Sequence, residues 1–429
     1  MWKRYFGFGL LAALLLCLAG TAVYNLPPVH ERLSWRVDNV RVRVQRLINP
    51  PERQVFVPQG VGDPTAILQA SSSSTPFPSA TPTLPTPTGT PLPTATSTLV
   101  PTPIPAQVVL SGAVHEYQQF NNCGPATLAM ALSYWGWQGD QRDTRRVLRP
   151  SFATIDDKNV NPWEMVAYIK DQTDLKALSR VGGDLDTLKR IIAAGFPVVI
   201  ETGLQQHPKD WMGHYLLLTG YDDERARFTT QDSLIGPDIP LKYAELESGW
   251  RAFNDVYLVV YPADREPELQ SLLGAQADPA ANYQLALQKA QNETAQLSGR
   301  DLFFSWYNLG SNLTALGDYP AAAQAYDRAF AEYAAIPEDD RPWRMLWYQA
   351  GPYEAYFNTG RFEDVITLGN QALNSANGPL LEETFYWLGR AREATGDMEK
   401  ALYDYRRAVE INPASTPAKQ ELERLGYTN

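Results

Sequence analysis

The chain is short of cysteine and histidine: its 429 residues include only two cysteines, Cys17 and Cys123, and four histidines. Cys17 lies in an apolar N-terminal run, far from Cys123, so the two are not expected to pair and no disulfide framework exists. No Cys/His zinc spacing can be built, so neither a metal nor a cofactor is expected. Basic residues are also few, 37 Lys and Arg against 48 Asp and Glu, for a net charge of −11. Nucleic-acid binding draws on Lys/Arg-rich surface, and no basic stripe with interleaved aromatics occurs, so no nucleic-acid partner is expected. Charge is missing altogether between Asp63 and Glu116.

What is present divides the chain into five parts. Residues 1–28 begin Met1-Trp2-Lys3-Arg4 and continue as an uncharged run from Tyr5 to Tyr24, long enough to cross a bilayer as a helix of ~20 residues. Two readings stand: an uncleaved signal anchor, and a secretory signal cut near Gly20-Thr21-Ala22. Cys17 follows Leu15-Leu16, not the small residue a lipoprotein signal wants, so lipidation is not expected. The bulk of the chain is placed outside the cytoplasm, although Arg32, Arg36, Arg41, Arg43 and Arg46 after the span pull the other way, because large downstream domains translocate largely regardless of charge.

Residues 29–62 carry Leu33, Val37, Val40, Val44 and Leu47 at helical steps, an amphipathic helix with a narrow seam. It either lies on the bilayer or its own domain, or pairs as a short coiled coil. Residues 63–106 are dominated by Ser, Thr and Pro, a composition that buries no core and stays extended. In polyproline II such a linker could reach on the order of 100 Å.

Residues 107–262 read as an α+β domain, helices first and strands after. Helices are predicted from Cys123 to Trp135 with Gly136 as stop, from Trp163 to Asp171 behind Asn161-Pro162, and from Asp184 to Ala194. Strands are predicted over Pro197–Thr202, His214–Tyr221, Arg227–Asp232 and Asp255–Val260. Trp135, Trp137, Trp163 and Trp211 are read as core or cleft wall.

Residues 278–427 are helical with a repeat. Trp306-Tyr307-Asn308-Leu309-Gly310 precedes Leu316-Gly317-Asp318-Tyr319, and Phe385-Tyr386-Trp387-Leu388-Gly389 precedes Thr395-Gly396-Asp397-Met398. Gly317, Gly360 and Gly396 stand 43 and 36 residues apart, with an insertion around Ile336–Pro342. The pattern resembles tetratricopeptide repeats, whose unit is ~34 residues. A helix over Asn282–Gln296 precedes the array and a capping helix over Ala418–Leu425 follows it.

Chemistry concentrates at Cys123. A thiol at a helix start loses its proton more readily, because the exposed N–H groups of the first turn favour the thiolate. Thiol catalysis further needs a histidine, a group that orients it and an oxyanion donor. His214 stands on an apolar strand, open at the sheet's end; His30 is juxtamembrane, His115 leads in to Cys123, and His207 lies in a polar loop. Asp232 ends the next strand and can order His214, with Asp222 and Asp223 as rivals. Gln118 can present its amide to an oxyanion, with the Cys123 backbone N–H as second donor.

Gln118-x-x-Asn-Asn-Cys-Gly-Pro-Ala, Gly-His-Tyr-Leu-Leu-Leu-Thr-Gly-Tyr-Asp and the later Asp232 resemble the bacteriocin-processing, double-glycine cysteine peptidase family, and more closely its stand-alone papain-like relatives. The resemblance covers about a third of the chain. It implies a papain-like fold with Cys123 as nucleophile, His214 as base, Asp232 as orienter and Gln118 as oxyanion donor. Two departures stand out. Asp232-Ser233 replaces the usual Asp-Pro, and Gln118 lies five residues before the cysteine where six is common, with Gln119 four before.

The resulting expectation is a membrane-tethered, extracytoplasmic cysteine peptidase whose repeats bind a protein partner and whose substrate is a peptide or protein. The alternatives are an inactive scaffold that binds peptide or envelope polymer in the same cleft, and thiol acyl transfer to an amine. Secretion after signal cleavage is the alternative to anchoring.

Overall fold

The computed structural model describes residues 104–150, 159–205, 210–375 and 380–427, with 55–58 and, nearer the N-terminus, 15, 18–26, 29, 37, 40 and 44. The Ser/Thr/Pro tract to residue 103, His30 and His207 lie outside these residues, as does most of the span expected over 1–28. Among the described residues no helix is long and apolar enough to cross a membrane. Val37, Val40 and Val44 of the expected seam are helical and exposed.

A seven-stranded sheet, antiparallel at every pairing, organises residues 104–273. Its strands are β1 Gln107–Val109, β2 Lys176–Arg180, β3 Val198–Gln205, β4 Trp211–Asp222, β5 Arg227–Asp232, β6 Gly236–Lys242 and β7 Tyr257–Tyr261. The order is β2-β7-β3-β4-β5-β6, with β1 added to the far end of β4. Helices α1 Cys123–Tyr134, α2 Gln141–Leu148 and α3 Pro162–Gln172 cover one face; α4 Leu185–Ala193, α5 Tyr243–Arg251 and α6 Glu266–Leu273 cover the other.

Strand periodicity assigns the two faces. Val199, Tyr215, Leu217, Leu258 and Val260 pack under α1 to α3. Val198, Ile200, Leu216, Leu218 and Val259 pack against α4 to α6. Both faces are covered, so β7 reads Tyr-Leu-Val-Val-Tyr with no polar alternation and every residue buried.

The three predicted helices are present; Asn161 and Glu164 form the expected capping box around Pro162, and Asp184 caps the third by accepting the Thr187 N–H at 2.7 Å. The helices-then-strands order needs correction, because β1 and β2 precede the main run and each is too short to carry its own pattern. The sequence reading also missed α2, α5 and β6. His214 is the fourth residue of β4, not the first, since Trp211 to Gly213 extend the hairpin by pairing with Gly203 to Gln205. Leu269 and Leu273 of α6 are buried in the same core as the sheet, so that core continues past residue 262.

The rest is helical: α7 Pro279–Thr294, α8 Gly299–Ala315, α9 Tyr319–Ala335, α10 Met345–Tyr348, α11 Gly351–Asn358, α12 Phe362–Asn374, α13 Glu382–Ala394, α14 Met398–Ile411 and α15 Thr416–Arg424. Successive pairs stack as repeats. In the first and third, a Cβ on Gly310 or Gly389 would sit 2.8 and 2.6 Å from the Tyr326 and Tyr405 rings, so the Leu-Gly step is a helix–helix contact that admits no side chain.

The array is not a separate bead. Trp211, Ala252, Phe253 and Val256 of the sheet domain share one hydrophobic core with Phe303, Phe304, Tyr307 and their neighbours. Trp211 stacks on Phe253 with centroids 6.0 Å apart. Asn254 and Asn312, both buried, exchange amide hydrogen bonds of 2.7 and 3.2 Å across the junction.

Candidate active site

α1 starts at Cys123 after a loop in which Asn121 takes a left-handed φ of 50°, a conformation that Asn tolerates better than most residues. The first turn holds no acidic residue, so the positive end of the helix acts on the thiol unopposed. A Cβ on Gly124 would lie 3.0 Å from the Met165 methyl and 3.2 Å from Val160, so a larger residue there would have to push both aside.

β4 brings His214 up to Cys123, close enough for the thiol and the imidazole to shift each other's ionisation. His214 is 3 % exposed, and its Nε2 lies 2.9 Å from Asp232 Oδ1 on the adjoining strand β5. Asp232 is held in turn by the N–H groups of Leu234 at 2.8 Å and Ile235 at 3.2 Å. The rivals are engaged elsewhere: Asp222 pairs with Arg225 at 2.7 Å, and Asp223 with Lys189 at 3.0 Å.

Burial pushes the Cys123 thiol up, but the His214 hydrogen bond and charge, the Tyr215 backbone and Arg149 outweigh it, leaving the thiol below the ordinary 9.0. Burial alone would hold His214 neutral; its bonds to Asp232 and Cys123 push the imidazole up to about 10. Burial likewise disfavours an ionised Asp232, yet His214 and the two backbone N–H groups keep its carboxyl below the usual range. All three shifts favour a thiolate–imidazolium pair braced by a carboxylate.

Gln118 stands beside Asp232. Its backbone N–H donates to the Ser233 carbonyl at 2.8 Å, and its Oε1 accepts from the Ser233 hydroxyl at 2.9 Å. With the oxygen engaged, the amide nitrogen is the end left to donate. Gln119 is turned to α2, its N–H bonded to Gln141 Oε1 at 2.8 Å. His115 reaches the Asp232 carbonyl through Nε2 at 3.1 Å. Of the four tryptophans read as core or cleft wall, Trp211 is buried, Trp135 and Trp137 are half-buried, and Trp163 is 63 % exposed.

Several residues that shape the site gave no sequence signal. Gln141, on the missed α2, binds the Asn122 amide at 2.9 Å and the Tyr117 carbonyl at 2.8 Å. Arg149, 1 % exposed, binds the carbonyls of Phe120 and Asn121. Together they fix the loop that aims Cys123. On β3, Glu201 is 3 % exposed with Oε2 2.8 Å from the Tyr215 hydroxyl, which is also 2.8 Å from the Val160 carbonyl. One phenolic proton cannot serve both acceptors. Burial holds the Glu201 carboxyl well above its usual range, so it is the protonated acid that donates to Tyr215, while Tyr215 donates to Val160. Its Oε1 is buried with no hydrogen-bond partner.

The repeats reach this site. Arg344 and Tyr348, just after the insertion, hold β4 just ahead of His214: Arg344 donates to the Trp211 carbonyl at 2.7 Å, and the Tyr348 ring packs on Gly213, where a Cβ would meet it at 3.0 Å. On the other side, Asn161, next to Val160, donates to Glu383 of α13 at 2.7 Å. Among the described residues no group of His, Cys, Asp or Glu is arranged to hold a metal ion.

Residues 112–258 match the Peptidase_C39 like family, and residues 382–415 match the tetratricopeptide repeat. A solved structure described as a C39-like peptidase from Bacillus anthracis is 19 % identical, covering 36 % of this chain and 96 % of its own, with a TM-score of 0.31. No curated protein matches. By the two family models, the chain carries a C39-like peptidase domain followed by tetratricopeptide repeats.

Proposed function

We propose that this C39-like domain with its fused repeats is a cysteine peptidase, in which Cys123 attacks, His214 transfers protons, and Asp232 orients His214. The observation that carries the reading is the line-up of Cys123, His214 and Asp232: thiol and imidazole each shift the other's ionisation, and His214 Nε2 lies 2.9 Å from Asp232 Oδ1. The thiolate adds to the scissile carbonyl, and the imidazolium gives its proton to the leaving amine. The neutral imidazole then takes a proton from water, which releases the acyl group and restores the pair. The Cys123 N–H and the Gln118 amide nitrogen are the donors for the oxyanion. The repeats contribute cleft walls through Tyr348 and Glu383 and bind a protein partner elsewhere on their surface. The apolar run before Tyr24 anchors the chain in a membrane, with the bulk outside the cytoplasm.

Two measurements test this. Iodoacetamide should label Cys123 selectively near neutral pH, and His214→Ala should abolish that selectivity. Proteome-derived peptides should be cleaved by the wild-type chain and left whole by Cys123→Ala. Equal labelling of the His214 variant, or identical peptide profiles, would overturn the peptidase reading.

A further inference from the structure

The insertion that stretches the first repeat builds a socket. After α9 ends at Ala335, the chain makes a turn at Glu338–Asp340 and the short helix α10 before α11 begins. This detour accounts for the spacing of 43 residues between Gly317 and Gly360. Trp343, Met345 and Leu346 of the detour, together with Phe330 of α9 and Leu368 and Ala372 of α12, wall an apolar pocket between the second helices of the first two repeats.

The pocket is filled from far away in sequence. Phe56 is 4 % exposed, its ring edge-to-face with Phe330 at 5.0 Å and tilted against Tyr356 at 6.1 Å. Val57 beside it is 72 % exposed, while Pro58 is buried again. In–out–in alternation is what an extended segment shows when it lies across a surface and sends every second side chain down. Beside Phe56 the pocket keeps only about 50 Å³ of free volume. Nothing local forces the contact, since more than 240 residues separate Phe56 from every helix it touches.

The walls of the socket also lead elsewhere. The detour that supplies Trp343 and Met345 supplies Arg344, which binds the Trp211 carbonyl, and Tyr348, whose ring packs on Gly213. One short stretch of chain therefore has Phe56 on one side and the approach to His214 on the other.

We propose that residues 55–58 are a built-in ligand of the repeat array. Phe56 is the anchor, the insertion is the receptor, and the segment occupies it in the same molecule. The socket's chemistry defines what it accepts: an aromatic side chain on an extended segment followed by proline. Segments of that kind from other proteins must first displace Phe56.

The test uses the full chain and two readouts that do not depend on turnover, so its failure is separable from failure of the peptidase reading. In Phe56→Asp, amide exchange over 336–348 and 362–374 should speed up. A fluorescein-labelled peptide of residues 51–60 should bind Phe56→Asp at least about tenfold more tightly than wild type, because the tethered segment no longer competes. Adding Ala372→Trp, which fills the socket from inside, should remove that binding. Unchanged exchange, equal binding to both chains, or binding to neither would overturn the proposal. So would wild-type protection that falls on hundredfold dilution, since the occupant would then come from a second copy.

Discussion

His214 Nε2 lies 2.9 Å from Asp232 Oδ1, and the same oxygen accepts the Leu234 N–H at 2.8 Å. The imidazole is thus tied at Nε2 to a carboxylate that is itself fixed by the turn after β5. Asp232→Asn removes the charge and keeps the shape. We expect kcat for peptide cleavage to fall by about 10²-fold or more, with KM changed little, as general acid–base catalysis weakens. Steady-state kinetics on a cleaved peptide checks this; an unchanged kcat would place the orienting role elsewhere.

The ion pair sets a pH window. The Cys123 thiolate forms below the ordinary thiol range, and His214 keeps its proton up to about 10. Alkylation of Cys123 should rise on the acid side, hold a plateau through neutral pH, and change again as His214 loses its proton. In His214→Ala the acid limb should move upward, because the thiol loses its hydrogen-bond partner.

Stability follows the same groups, with opposite signs. His214 is raised when folded, so its contribution is full below 6.5 and is lost as pH climbs through about 10. Asp232 is lowered when folded, so its contribution is present above 3.8 and is lost as pH falls through its folded value. Thermal melts of wild type and His214→Phe between pH 5 and 11 should converge at the alkaline end. Parallel curves would mean that the pair is not ionised.

Glu201 offers a cleaner discrimination. Glu201→Gln supplies the same donor to Tyr215 without a titratable proton, so stability and the alkylation profile should stay within about 0.5 kcal/mol of wild type. Tyr215→Phe strands the Val160 carbonyl and the Glu201 acid, and should cost about 1–3 kcal/mol in denaturant unfolding. A large shift of the thiol profile in Glu201→Gln would show that the native carboxyl is charged.

Arg344 is 2 % exposed, packs 4.2 Å from the Trp343 ring centroid and donates to the Trp211 carbonyl. Arg344→Ala should cost about 1.5–3 kcal/mol, and Arg344→Lys should recover little, since lysine lacks the planar fork. Hydrogen exchange should show loss of protection on both sides of the junction together. Loss confined to the repeats would mean that the shared core is weaker than its packing indicates.

The elements legible in the sequence were those with local signals. Cys123 stood out as a lone thiol before Gly-Pro, and Asp232 as the end of a strand next to that of His214. Helices α1, α3 and α4 announced themselves through caps and periodicity, and the repeats through recurring Leu-Gly steps. Tertiary contacts left no such mark. α2 reads Gln-Arg-Asp-Thr-Arg-Arg-Val-Leu, a polar stretch whose Gln141 is buried only because the Cys123 loop wraps over it. Glu201 is buried on β3 by partners that no local pattern announces. Phe56 and the socket are joined across most of the chain, and no window of sequence holds both.

The seating of Phe56 changes what lies between it and the sheet domain. Pro58 at one end and Ile104 at the other both rest against the same folded body. The chain between them therefore leaves one folded body and returns to it. A protease that nicks this loop once breaks the covalent chain without shedding anything: the fragment bearing residue 56 stays docked until the socket opens. Separation of residue 56 from the sheet domain thus requires two events, a cut and an undocking.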